Sequence, residues 1–253
     1  MRKFVAGIVA VASLTIAAPA AAITNGQPDG NGHPEVGALL AQQAYSDGTW
    51  AECTGTLISP TVFLTAAHCD EGVSRVNVTF DSSYVYPTGA TFPGTWHADP
   101  AYGKAQGDPH DIAVVVLDSP VGITPANLPT ANSNASLGKD QKFTSVGYGA
   151  QAVNNGPGGK TYTYTDTRYV GSGTLNSVTP TFLRISQNIS HGDAGTCYGD
   201  SGGPNFLGAG PGETRTIAAT TITGDTACRS TNVDYRLDTP AARSFLAGYV
   251  PLP

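Results

Sequence analysis

The chain has 253 residues, 40% of them hydrophobic and 13% charged, with a net charge of −6 at neutral pH. An acidic balance opposes nucleic-acid binding, which needs a basic surface, and the length is enough for two small units packed on each other. With 31 glycines and 18 prolines breaking up short alternating runs, strands are favoured over helices throughout.

In chain order, Arg2 and Lys3 precede an apolar stretch from Phe4 to Ala18, and Pro19 with Ala20 to Ala22 supplies small residues for cleavage. This reads as a secretory signal peptide over residues 1–22, because the apolar length is marginal for a membrane span. A cut after Ala20, leaving Ala21 and Ala22 in place, is the alternative to a cut before Ile23. Removal of residues 1–22 takes two of the 13 basic residues and none of the 19 acidic ones, so the mature chain is still more acidic. No later segment is long and apolar enough to cross a bilayer, which places the mature chain outside the cell, where disulfides persist.

Strands are predicted near Ala38–Leu40, Thr56–Ser59, Val62–Thr65, Val76–Phe80, Ile112–Leu117, Phe143–Gly147, Leu183–Ile189 and Thr216–Thr223, with a hairpin through Ser59 and Pro60. The Asn-, Ser- and Pro-containing stretch Thr124–Lys139 reads as a linker between two units, and Asn154–Gly159 as a flexible surface loop. One helix stands out near the end. Pro240 follows Thr239 at a first helical position, and Ala241, Ala242, Phe245, Leu246, Tyr249 and Val250 recur at helical spacing. Asn77, Asn134 and Asn188 each begin an Asn-x-Ser/Thr sequon.

Three short motifs carry chemistry. In TAAHC, His68 ends a β-branched run and is fixed in place by it, whereas His33, His97 and His191 lie in Gly- and Pro-containing loops and His110 lacks comparable context. Those four read as ordinary surface residues. In HDIAVVVL, Asp111 opens an apolar strand where an unpaired charge is costly, so it needs a partner such as a histidine N–H. In GDSGGP, Gly199 frees the backbone around Ser201, and Gly202 and Gly203 leave room for a substrate backbone. A serine hydroxyl becomes a nucleophile when a base removes its proton and N–H groups receive the charge that develops. Four cysteines, with no CxxC or HExxH pair, point away from a metal site and from any cofactor.

TAAHC, DIAVVVL and GDSGGP, in that order, resemble the chymotrypsin and trypsin family of serine proteases. The resemblance implies an all-β chain of two packed six-stranded antiparallel β-barrels with a C-terminal helix. Residues 23–125 would form the first barrel, with His68 and Asp111, and residues 126–253 the second, with Ser201. It implies that His68 is the general base, Asp111 orients it, Ser201 attacks the scissile carbonyl, and the N–H groups of Gly199 and Ser201 form the oxyanion hole. It also implies disulfides Cys53–Cys69 and Cys197–Cys228, and an activating pair between a free Ile23 amine and Asp200. The expected activity is that of a secreted, monomeric endopeptidase acting on protein or peptide substrates.

The family's tryptic members carry an aspartate where this chain has Gly195. Gly195 and Thr196 then make a neutral pocket floor, and Gly224 leaves the wall open for a large apolar or aromatic side chain, so Arg/Lys specificity is not expected. Asp225 and Asp234 remain candidates for a charge in the pocket. Two positions depart from the family pattern: Ile222, Thr223 and Gly224 stand for Ser-Trp-Gly, and Tyr148 stands where tryptophan is common. Two rival readings fit less well. The nucleophile-elbow string GxSxG also fits Gly199–Gly203, but no histidine follows Ser201, which excludes a lipase-like order. A binding or regulatory module of the same fold would normally have lost one of the three reactive residues, and all three are present.

Overall fold

The computed structural model describes residues 23–105 and 107–253, so the predicted leader, residues 1–22, lies outside the described residues. The first barrel is built from β2 (Val36–Leu40), β3 (Ala51–Ser59), β4 (Val62–Thr65), β5 (Arg75–Thr79), β6 (Phe92–Ala98) and β7 (Ala113–Leu117). These pair antiparallel in the order β2-β3-β4-β7-β6-β5, and β5 returns to β2 to close the ring. Closure removes the free edges that an open sheet would expose.

The second barrel uses β8 (Lys142–Gly147), β11 (Tyr169–Val178), β12 (Phe182–Ser186), β13 (Pro204–Leu207), β14 (Ile217–Gly224) and β15 (Thr231–Arg236), closed through β8–β11 and β8–β13. A short β1 (Gln27–Pro28) adds to β11, so the segment that precedes the first barrel in sequence sits on the second. Between β8 and β11, β9 (Ala152–Gly156) and β10 (Gly159–Thr163) form a separate hairpin. Helix α1 (Pro240–Leu246) follows, with the Thr239 hydroxyl accepting from the Ala242 N–H as its cap.

Each barrel has its own apolar filling. Leu39, Leu57, Phe63 and Val115 pack inside the first, and Phe143, Leu183, Ile185 and Ala219 inside the second. A third cluster joins them: Val36, Leu64, Ile112 and Val114 meet Val146, Phe206, Ile217 and Tyr235, with Ala242 and Leu246 of α1 in the same group. Apolar area buried at this seam, at about 25 cal/mol per Å2, fixes one barrel against the other.

Several sequence expectations are corrected. The strand predicted over Leu183–Ile189 stops at Ser186, because Ile189 turns outward into a single 3-10 turn and is 59% exposed. The expected loop at Asn154–Gly159 is the β9–β10 hairpin, turning at Pro157 and Gly158. His97 lies on β6 against Tyr249 and not in a loop. His33 is buried, stacked on Phe206 between Asp29 and Glu213. The Asn134 amide is buried and donates to the Ala218 carbonyl and Asp238, so this sequon offers no accessible acceptor in the folded chain.

Candidate active site

His68 sits in the 3-10 turn Ala67–Cys69 that follows β4, and Asp111 lies two residues before the start of β7, the neighbour of β4 in the barrel. Strand pairing therefore delivers the two side chains to one end of the first barrel. Asp111 Oδ1 accepts from the His68 backbone N–H at 3.0 Å, and its Oδ2 lies 2.8 Å from His68 Nδ1. The opposite ring nitrogen, Nε2, is 2.7 Å from Ser201 Oγ on the second barrel. With Asp111 buried and His68 partly open to solvent, one imidazole links a fixed carboxylate to a hydroxyl.

The turn around Ser201 is held from both sides. Gly199 has φ +92°, a left-handed conformation that favours glycine. The Thr54 hydroxyl donates to the Gly199 carbonyl and the Thr54 N–H to the Ser201 carbonyl, which ties β3 of the first barrel to the nucleophile turn. The Tyr198 carbonyl accepts from Ala150 N–H and the Asp200 carbonyl from Gly203 N–H. In a trans peptide the N–H points opposite to the C=O, so these two bonds turn the N–H groups of Gly199 and Ser201 the other way. Both residues line the same cleft, of about 610 Å3, as His68.

Asp200 is fully buried and accepts from the N–H groups of Gly149 and Cys197. No cation reaches it among the described residues of the full-length chain, and burial pushes its pKa up to about 8 despite those two bonds. The Ile23 side chain is buried against Tyr169 and Ala194, and Thr24 pairs with Gly195 as a short antiparallel bridge. The disulfides Cys53–Cys69 and Cys197–Cys228 are both formed, with Cα separations of 6.3 and 5.2 Å. Cys53, His68 and Cys69 lie close together, but with both sulfurs in a disulfide they offer no thiolate to a metal.

Of the predicted pocket residues, Thr196 and Gly224 line the cleft on its two walls, which the Cys197–Cys228 bridge joins. Gly195, expected at the pocket floor, is buried and does not itself border the cleft. Asp225 borders the cleft, but its carboxylate is engaged by the backbone of its own turn. Its carboxylate accepts the N–H groups of Arg229, Ser230 and Thr231, which outweigh burial and lower its pKa, and so it closes a turn. Asp234 is fully buried with Oδ1 held by Asn205, Thr221 and Asn232, and burial pushes its pKa well above the carboxylate range.

Residues that the sequence reading missed also shape the cleft. Thr54 supports the nucleophile turn; Tyr45, Tyr164 and Tyr198 form an aromatic rim. Glu52 stands on the wall before Cys53, its pKa pushed up to about 7 by burial and by its neighbours Glu71 and Asp70. None carries a motif, since each is brought to the cleft by sheet register or loop packing.

Comparison with known proteins agrees with this geometry. The family model described as Trypsin matches residues 30–244. Brachyurin from Leptuca pugilator is 29% identical over 215 residues, covering 82% of this chain and 92% of that protein. An alkaline C trypsin from Manduca sexta is 29% identical over 187 residues, covering 69% of this chain and 72% of that protein. In fold, the chain is similar to the solved structure of HBP at a TM-score of 0.68 and 18% identity, over 91% of this chain and 99% of that one.

Proposed function

The chain belongs to the trypsin family of serine endopeptidases, and from that premise we propose that it hydrolyses peptide bonds through Ser201, His68 and Asp111 by way of an acyl-enzyme. The observation that carries this is the single imidazole bridging Asp111 at 2.8 Å and Ser201 at 2.7 Å. Ser201 Oγ attacks the scissile carbonyl carbon while its proton passes to His68 Nε2. The carbonyl oxygen takes the negative charge and is received by the N–H groups of Gly199 and Ser201. His68 then gives its proton to the leaving amine as the C–N bond breaks. Water repeats the sequence, with His68 taking its proton and returning one to Ser201 Oγ as the acid leaves. Asp111 holds the imidazole in the tautomer that faces Ser201.

Residues 23–125 supply the base and its orienting acid, residues 126–253 the nucleophile, and substrate binds in the seam between them. Removal of residues 1–22 frees the Ile23 amine, which pairs with Asp200 and holds the nucleophile turn. The leader-like start and the two disulfides support a secreted enzyme. It acts as a monomer, free of the membrane; among the described residues no helix is long and apolar enough to cross one. Gly195 in place of an aspartate, with Asp225 tied to its own turn, argues against Arg/Lys specificity.

A serine-directed phosphonylating reagent tests the reading. Stoichiometric modification of Ser201, abolished by His68→Ala, is expected; an unlabelled Ser201 in the folded protein beginning at Ile23 overturns it. Asp111→Asn should lower kcat by about 10,000-fold with the fold intact, the loss a misoriented imidazole produces in a triad of this kind.

A further inference from the structure

Gln187 follows β12 and is 1% exposed, yet neither its Nε2 nor its Oε1 has a hydrogen-bond partner among the described residues. A primary amide offers two donors and two acceptor sites, and burying all of them unpaired is costly. Its place explains the oddity. A Cβ built on Gly195 would lie 1.8 Å from Gln187 Oε1 and 2.4 Å from its Cβ, so Gln187 fills the space that a side chain at position 195 would claim. Across the pocket, a Cβ on Gly224 would lie 3.3 Å from Gln187 Nε2, and Gly224 itself lines the cleft. The carboxamide thus spans the gap between floor and wall. Beside the same point on Gly224 lies Asn232, equally buried, with its Oδ1 also unpartnered among the described residues.

We propose that Gln187 is a specificity-determining residue: its carboxamide is a neutral, hydrogen-bonding floor for the substrate side chain that precedes the scissile bond. The inference rests on the serine-endopeptidase reading above. Such a floor selects a neutral side chain whose tip both donates and accepts, the phenol of tyrosine or the carboxamide of glutamine, over a hydrocarbon or thioether of similar shape. A cation is poorly served here: Asp225 spends its carboxylate on its own turn, and Asp234, which does not border the cleft, has Oδ1 held by Asn205, Thr221 and Asn232 and only Oδ2 unpartnered among the described residues. A purely apolar tip leaves the buried amide unpaired, which is the condition under which sites discriminate most strongly.

The test uses the protein beginning at Ile23, with active sites counted by phosphonylation, and peptides that differ only in the residue before the cleaved bond. Tyrosine should exceed phenylalanine, and glutamine should exceed methionine, by about 10- to 100-fold in kcat/KM. Gln187→Met should bring both ratios near one with the labelled fraction unchanged, and Gln187→Glu should move preference to Arg and Lys. Wild-type ratios at or below one, dominant cleavage after Arg or Lys, or ratios that survive Gln187→Met overturn the proposal. If Gln187→Met fails to label, the wild-type ratios and the gain of basic preference in Gln187→Glu decide. Absence of labelling and of all turnover in the wild type is a different result, and sinks the endopeptidase reading itself.

Discussion

Asp200 is a buried acid whose folded pKa of about 8 stands far above its ordinary value of 3.8. The unfolded chain gives up that proton near pH 4 and the folded chain keeps it, so stability falls as pH rises from about 4 to about 8. A free Ile23 amine beside the carboxylate would reverse this. Thermal midpoints of the 253-residue chain should therefore drop between pH 5 and pH 8, and the protein beginning at Ile23, left with only the falls that Glu52 and His33 contribute to both forms, should drop less over that range. Equal pH slopes in the two forms would deny the pairing. Gly195 makes a second point at this scale. Gly195→Ala pushes a methyl into Gln187, at an expected cost of about 1–3 kcal/mol in denaturant unfolding, and adding Gln187→Ala should recover most of it.

The segment linking β1 to β2 carries His33, held at 2.5 Å from Asp29 and 2.9 Å from Glu213. Burial pulls its pKa down, but the hydrogen bonds to the two carboxylates prevail and raise it to about 9. The stabilisation is fully present below its ordinary value of 6.5 and is lost as pH climbs through about 9. His33→Ala should cost about 1–3 kcal/mol at pH 6 and less at pH 10, as measured by urea unfolding. This residue also marks where sequence reading ran out. Its Gly- and Pro-rich neighbours read as an open loop, while its partner Glu213 lies 180 positions away. His68, Asp111 and Ser201 were legible because each sits in a local string whose composition makes sense only for its chemistry. β11 was not, because Gly171 and Gly173 look like breakers; a Cβ there would lie 2.5 Å from Ala194 and 2.5 Å from Ile185 respectively, so close packing demands glycine inside a strand. β15 was hidden by the polar string Thr231 to Arg236, whose Asn232 and Asp234 are buried by pairing with each other, and Gln187 by its dependence on register between distant strands.

Across the whole molecule, Arg168 does much of the joining. Fully buried, it donates to Asp29 at 2.8 Å, to the Gly30 carbonyl, and to the carbonyls of Val36 and Phe80 on the first barrel. Arg168→Met keeps bulk but strands a buried carboxylate and several carbonyls, and should cost about 3–5 kcal/mol, with a lower thermal midpoint as the readout. A midpoint within a degree of wild type would show that the seam is held by its apolar contacts alone. Thr24 forms a quieter link. Its hydroxyl shares its one proton between the Gly195 carbonyl at 2.9 Å and the Cys228 carbonyl at 2.8 Å, the latter 204 positions later in the chain. In the proposed mature form the second residue is thus sewn to Gly195 and Cys228 beside the proposed pocket, so that Thr24→Val is expected to blur the choice of substrate more than it slows turnover.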